Sequence, residues 1–247
     1  MEFSHLHPNA VKNIKAYLNQ LHEKNNVIEN SGTGSRHKYK LLELFKGTGS
    51  VGKVAHRMNM DVQSLDVVSK YEPNVLVDIL EWDYKKWIRD NNFVPDFIWA
   101  SPPCNTYSSI VYPLRERDPH TAEPISDRAK VGTQILYKTL QIINYIQKLN
   151  PKVLFVIENP RGMMRKDKKI KKLDLNNTLY CLYNDFKRKS TDFFSNVPNG
   201  LKLKQGTKCP NPEKILDVQN NIYPIEKRYS IPSSLIKQIL SRMIEEY

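Results

Sequence analysis

Cysteine is scarce: the 247 residues hold three, Cys104, Cys181 and Cys209, which leave one over in any pairing. They form no C-x-x-C and have no histidine-rich neighbourhood, so neither a disulfide scaffold nor a structural zinc site is expected, and no metal ligand set is assigned. Long apolar runs are missing too. None approaches the 18 residues of a membrane span, and the opening stretch MEFSHLHPNAVKNIK lacks the apolar core of a secretion signal. These absences lead us to expect a soluble, intracellular protein that is not secreted and has no membrane partner. Acidic residues are outnumbered, with 26 Asp and Glu against 38 Lys and Arg, for a net charge of +12 and a pI near 9.4. A surplus of that size favours polyanions, of which nucleic acid is the commonest, although a lysine-rich proteome gives the same excess. Apolar material is sufficient for a core: hydrophobic residues make up 40% and the mean hydropathy is −0.57.

Along the chain, Val11, Ile14, Leu18 and Leu21 have helical spacing within residues 8–25, and ENSGTGSRHK after them reads as a linker. Short apolar runs at Leu41–Phe45, Val62–Val67, Phe97–Ala100 and Val153–Ile157 read as buried strands with helices between them. The clearest helix is Arg128–Leu149, ended by Asn150-Pro151 because proline has no N–H and restrains its predecessor. Repeated strand–helix–strand order predicts an α/β fold with a doubly wound, mostly parallel sheet. From Arg161 to Lys172 the chain carries seven basic residues and one acid, the mark of a solvated loop or of a phosphate contact. Residues 197–228 are rich in Pro, Asn, Gly and Lys and read as a small loop-dominated lobe. Ser230–Tyr247 reads as a final helix with Ser233 or Ser234 at its N-cap.

The strand LLELF runs into Gly47, Gly49 and Gly52, a G-x-G-x-x-G pattern that lets backbone approach a ligand beside a helix N-terminus. Asp66, nineteen residues after Gly47, ends the next strand and can accept from both hydroxyls of a ribose. On these residues alone a nicotinamide dinucleotide and S-adenosylmethionine remain equal readings. The next two strands break the tie. Asp96–Ala100 runs into SPPCNTYS, where two prolines stiffen the backbone before Cys104, and Val153–Ile157 ends in Glu158-Asn159-Pro160. A lone cysteine is commonly an inert buried residue and a lone glutamate a solvated strand end. Here both stand at strand ends beside the glycine loop, where open α/β sheets handle ligands.

With LFKGTGSVG, SLDV, NVLVDILEWD, DFIWASPPCNTYS, VIENPRG, KRKSTDFFSN and YSIPSSLIKQIL in this order, the chain resembles the DNA cytosine-5 methyltransferase family. The resemblance covers about residues 40–196 and 229–247 and implies a compact, phage- or virus-like member with the Rossmann-like fold of S-adenosylmethionine-dependent methyltransferases. It implies S-adenosylmethionine as cofactor, with Phe45, Gly47, Thr48, Gly49, Ser50, Asp66, Val67, Asp78, Ile79 and Pro102 around it. It implies Cys104 as the nucleophile toward cytosine C6, Glu158 as partner of ring N3 and the exocyclic amine, and Arg188 as a further catalytic group. Pro103, Asn105, Thr106, Ser108, Asn159 and Arg161 are implied on the substrate side, with Arg115 and Arg117 on the loop closing over a base flipped out of the duplex.

Three departures stand out. Pro160 replaces the family's valine after Glu-Asn, Ser190 falls where a second arginine is usual, and only about 30 residues separate Asn196 from the closing helix. The resemblance divides the chain into an N-terminal extension and linker (1–38), a catalytic and cofactor-binding domain (39–196), a reduced target-recognition lobe (197–228) and a C-terminal helix returning to the catalytic domain (229–247). So short a lobe reaches few base edges, which implies a short recognition context, a partner subunit for target recognition, or binding mostly through phosphates. Double-stranded DNA is the expected substrate. RNA and a catalytically weak or inactive nucleic-acid-binding module are the alternatives.

Overall fold

Alternation within four short apolar runs decides the architecture. Leu41, Phe97, Trp99, Leu154 and Val156 belong to one buried cluster, whereas their neighbours Leu42, Leu44, Ile98, Ala100, Phe155 and Ile157 belong to another. Successive side chains of a strand point to opposite faces, so strands apolar on both must be covered on both. The computed structural model, which describes residues 38–108, 114–215 and 224–247, shows that arrangement. The strands are β1 (Lys40–Leu44), β2 (Asp61–Asp66), β3 (Val75–Leu76), β4 (Phe97–Ala100), β5 (Leu154–Pro160), β6 (Asp174–Leu179) and β7 (Ser190–Ser195). They form one seven-stranded sheet in the order β3-β2-β1-β4-β5-β7-β6, parallel from β3 through β5 and antiparallel at β5–β7 and β7–β6. The expected helix at 8–25, its linker through His37, and part of the expected small lobe lie outside the described residues.

Helices α1 (Ser50–Arg57), α2 (Tyr84–Asp90), α3 (Asp127–Leu149), α4 (Ile225–Tyr229) and α5 (Ser233–Glu246) complete the chain. Leu235, Ile236, Ile239, Leu240 and Met243 of α5 are buried with Val51, Val54 and Ala55 of α1, closing one face. Ile142, Ile143 and Ile146 of α3 cover the other. The N-termini of α2 and α3 are capped by Asp83, accepting from the Lys86 N–H, and Ser126, accepting from the Ala129 N–H. Among the described residues no helix is long and apolar enough to cross a membrane.

Several expectations are corrected. Strand β5 does not stop at Ile157; it runs through Glu158 to Pro160, because β7 pairs with it there (Glu158↔Phe193). Helix α5 has no side-chain N-cap: Pro232 precedes it, and Ser234 Oγ donates instead to the Tyr183 carbonyl. The basic run 161–172 is not a solvated loop throughout, since Met163, Met164 and Ile170 are buried and Arg165 grips the buried Asp192 in two hydrogen bonds. Cys181 and Cys209 are joined by a disulfide, 28 residues apart in sequence, leaving Cys104 as the free thiol. It fixes the exposed stretch around 204–208, which buries little apolar surface, to the buried turn Tyr180–Tyr183. Closing a loop of this length contributes roughly 3 kcal/mol by restricting the unfolded chain. We expect reduction, or Cys209→Ser, to lower the unfolding free energy by about that amount in denaturant titrations, with no change expected in the reductant-treated Cys209→Ser protein.

Candidate active site

The sheet reverses its winding at β1, with β2 and β3 added on one side and β4 and β5 on the other. Ligands of open α/β sheets bind at the carboxyl edge of such a switch point, and a cavity of about 360 Å³ opens there. Its floor is the turn after β1. Gly47 (φ 48°) and Gly49 (φ 67°) both adopt left-handed backbone, which glycine tolerates without cost from a side chain. Asp66 at the end of β2 ties this turn down: Oδ2 accepts from the Gly47 N–H at 2.8 Å and Oδ1 from the Val68 N–H at 2.9 Å. Phe45, Gly47, Thr48, Ser50, Asp66 and Val67 line the cavity, whereas Gly49 faces the neighbouring cleft beside Lys53 and His56. Asp78 and Ile79 follow β3 at its rim. The Asp78 carboxylate is exposed and caps its own turn by accepting from the Leu80 N–H.

The other wall comes from β4 and β5. The parallel register Ala100↔Ile157 places Ser101–Cys104 beside Glu158 and Asn159. Asn159 is buried and its Nδ2 donates to the Pro102 carbonyl at 2.9 Å, fixing the backbone two residues before Cys104. The Cys104 carbonyl accepts from the Tyr107 and Ser108 N–H groups, closing a turn behind the thiol. A second lock joins this turn to the chain after β5: the Met163 N–H donates to the Tyr107 carbonyl at 2.7 Å and Ser108 bridges Gly162. A Cβ at Gly162 would lie 2.1 Å from that carbonyl, so only glycine fits.

Pro102, Pro103, Cys104, Asn105 and Glu158 all line the cavity. Burial pushes the Cys104 thiol above its ordinary range; Lys189 opposes that shift and Glu158 adds to it. Glu158 is buried, and its Oε1 accepts from the Tyr180 hydroxyl at 3.0 Å, with Lys189 Nζ 3.7 Å away.

Other expected site residues are placed elsewhere. Arg188 is exposed and donates to the Thr207 carbonyl; its neighbour Lys189 lines the cavity instead, because adjacent residues of an extended chain point opposite ways. Arg117 points into the protein. It is buried, stacks on the Tyr107 ring with 3.6 Å to the centroid, and donates to Thr106, Ala122, Ala129 and Thr133, stapling the Cys104 turn to α3. Thr106 is an acceptor in that staple, Ser108 is part of the bridge to Gly162, and the Arg161 side chain is exposed. Residues 109–113 between them lie outside the described residues.

Sequence reasoning missed Lys189, Tyr180, and the Tyr229 and Ile231 side of the cavity. Counting alternation back from Thr191, buried on β7, signals Lys189 rather than Arg188; nothing local signals Tyr180. It also missed Glu43, mid-strand in β1, whose Oε2 accepts from the Gly52 N–H at 3.1 Å behind the glycine turn. Burial pushes its pKa up to about 7, against the opposing effects of the Gly52 N–H and Lys46.

No family model matches the chain. It is 32% identical over 183 residues to the probable DNA (cytosine-5)-methyltransferase of Frog virus 3 (isolate Goorha), covering 71% of this chain and 79% of that protein. Two solved structures are similar at 15% identity. The Dnmt2 methyltransferase of S. pombe has a TM-score of 0.43, covering 64% of this chain, and the Entamoeba histolytica methyltransferase EhMeth has a TM-score of 0.47, covering 70%. The chain spans 50% and 58% of those two proteins.

Glu43 generates a pH prediction. Its carboxyl holds a proton in the folded state up to about pH 7, whereas the unfolded chain releases it near 4.5. Stability is therefore highest at or below the lower value and falls as pH rises through the higher one. We expect the wild type to lose about 2 to 3 kcal/mol of unfolding free energy between pH 5 and pH 8 relative to Glu43→Gln, measured by urea titration.

Proposed function

The chain belongs to the DNA (cytosine-5)-methyltransferase family, and from that premise we propose that it methylates C5 of cytosine in double-stranded DNA, using S-adenosylmethionine and a Cys104 adduct. The observation that carries this reading is the meeting of a free thiol and a buried carboxyl on one cavity wall, at the ends of adjacent parallel strands. Cytosine C5 is a poor nucleophile. Sulfur bonding to C6 converts C5 into an enamine-like carbon, and Glu158 at ring N3 stabilises the charge that moves there. The target atom sits inside the base stack, so the base is turned out into the cavity for Cys104 to reach it.

The residues present fit the cofactor. Asp66 offers carboxylate lone pairs to a ribose, and Phe45, Val67, Ile79 and Tyr229 supply apolar wall for a base. When bound there, S-adenosylmethionine supplies a methyl group activated by a sulfonium. Thr48, Ser50 and the glycine turn would hold its amino-acid side, and Asp78 at the rim would accept from the amine of its base.

On this reading residues 39–196 with 229–247 are the catalytic part, and 197–228 reads the target. Phosphate contacts from Arg161, Lys168, Lys169, Lys171 and Lys172 supply the affinity, which makes binding strongly salt-dependent. The described part of the recognition segment contains one short helical turn, Pro212–Lys214, and the start of α4, so few side chains are available to read base edges.

Labelled methyl from S-adenosylmethionine is expected on C5 of DNA cytosine, and Cys104→Ser abolishes it. Label confined to RNA reassigns the substrate, and wild-type levels of transfer by Cys104→Ser remove Cys104 as nucleophile. Asp66→Ala weakens cofactor binding by about tenfold or more in calorimetry, on the order of the 1.5–3 kcal/mol of a hydrogen bond to a charged group.

A further inference from the structure

Two groups outside the expected site converge on one oxygen of Glu158. Strand β6 ends at Leu179, opposite Ser190 of β7, and the ladder is prolonged by one bond: the Tyr180 N–H donates to the Lys189 carbonyl at 3.1 Å. Tyr180 and Lys189 are thus held together beside β5, and both side chains reach Glu158 Oε1. Lys189 Nζ also lies 5.2 Å from the centre of the Tyr180 ring. Lys187, on the same ring at 5.7 Å, is committed elsewhere, donating to the carbonyls of Lys227 and Ser230 and pairing with Asp185.

We propose that Tyr180 and Lys189 are positioning residues that act together through Glu158: both engage Oε1, which dedicates Oε2 to the target base and stabilises the carboxylate formed when Glu158 passes its proton to the ring. This rests on the methyltransferase reading above. In the step concerned, Cys104 has already lost its proton to solvent. The thiolate pair forms the S–C6 bond, the C5=C6 π pair shifts through C4 toward N3, and N3 takes the proton of the Glu158 carboxyl. The adduct is neutral at N3, and the negative charge that began on sulfur ends on Glu158.

In the reacting form, where Glu158 carries the proton that passes to N3, a cation 3.7 Å away contributes little; once the proton has moved, it stabilises the carboxylate most. A contact stronger after proton transfer than before it lowers the barrier rather than tightening binding. The phenol serves the same end. Tyr180 is fully buried, and burial keeps its proton on, reinforced by the Glu158 carboxylate once that has formed, so it remains a donor throughout. Lys189 is 23% exposed at the cavity wall, and its charge favours the Cys104 thiolate as well. One cation thus serves both ends of the charge movement.

The test compares Lys189→Met, Lys189→Arg and Tyr180→Phe with the wild type. We expect kcat for methyl transfer to cytosine-containing duplex to fall about 10²-fold in Lys189→Met and about tenfold in Tyr180→Phe, with KM for DNA changed less than about threefold. Lys189→Arg restores most of kcat. A second readout needs no substrate: Cys104 is the one thiol of the oxidised chain, so its alkylation by iodoacetamide follows its thiolate alone. In Lys189→Met that profile moves to higher pH, and in Lys189→Arg it stays near the wild type. Unchanged kcat in both Lys189→Met and Tyr180→Phe overturns the proposal. So does an alkylation profile indifferent to Lys189, or a Lys189→Arg protein no better than Lys189→Met. A wild type that moves methyl to neither DNA nor RNA, with the alkylation profile still following Lys189, rejects the methyltransferase reading and with it the role of the pair in methyl transfer, leaving only the effect of Lys189 on Cys104.

Discussion

The register of β4 between β1 and β5 is the constraint on which the candidate site depends. Parallel pairing carries each strand's carboxyl end to the same edge, and the pairs Leu44↔Ala100 and Ala100↔Ile157 bring three loops level there. A slip of one residue would exchange the faces of every side chain on β5 and turn Glu158 from the cavity into the helix-covered core. The register is defended by groups that do no chemistry. Asn159 binds the Pro102 carbonyl, the Gly162 backbone lies against Tyr107, and Arg117 spends its guanidinium on neutral acceptors around the same turn. Three independent contacts on one eight-residue turn imply that the direction of the Cys104 thiol is what the surrounding structure protects.

The positions of buried charge support the same view. Buried ionisable groups are costly unless paired or neutralised, yet Glu43, Glu158, Arg117, Lys187 and Asp192 all sit in or behind the cavity walls. Asp192 is matched by Arg165, Lys187 by Asp185 and three backbone or hydroxyl acceptors, and Glu158 by Tyr180 and Lys189. Glu43 is resolved differently, by holding its proton. Elsewhere buried charge is likewise paired, with Asp96 at the opposite edge accepting from the Lys40 N–H and the Tyr247 hydroxyl, and Arg242 of α5 donating to the Pro198 and Gly200 carbonyls.

Much of this was legible in the sequence, for a physical reason. Strands apolar on both faces announce a covered parallel sheet, and the chemistry of such sheets lies at strand ends, so Asp66, Cys104 and Glu158 could be picked out in order. Arg188 and Arg117 were misread because sequence gives charge without direction. Which residue of Arg188-Lys189 faces inward depends on how β7 pairs with β5, a contact with a strand about thirty residues earlier. Arg117 was expected on a loop closing over the base, but the carbonyls and hydroxyls that take it up come from three separated segments. The Cys181–Cys209 pair was invisible because three thiols define no pairing; only the fold brings two of them together.

That disulfide alters how the small lobe should be understood. Few apolar side chains anchor residues 204–215, and the lobe is fastened instead by one covalent bond next to Tyr180 and by Arg188 reaching the Thr207 carbonyl next to Lys189. Both attachments land one residue away from the two that grip Glu158 Oε1. A segment tied at those points cannot shift without pulling on the turn of Tyr180 or the backbone of Lys189. Lacking much apolar anchorage of its own, the segment is fastened beside the two residues that hold the Glu158 carboxyl, so its position and the geometry of that carboxyl are mechanically linked.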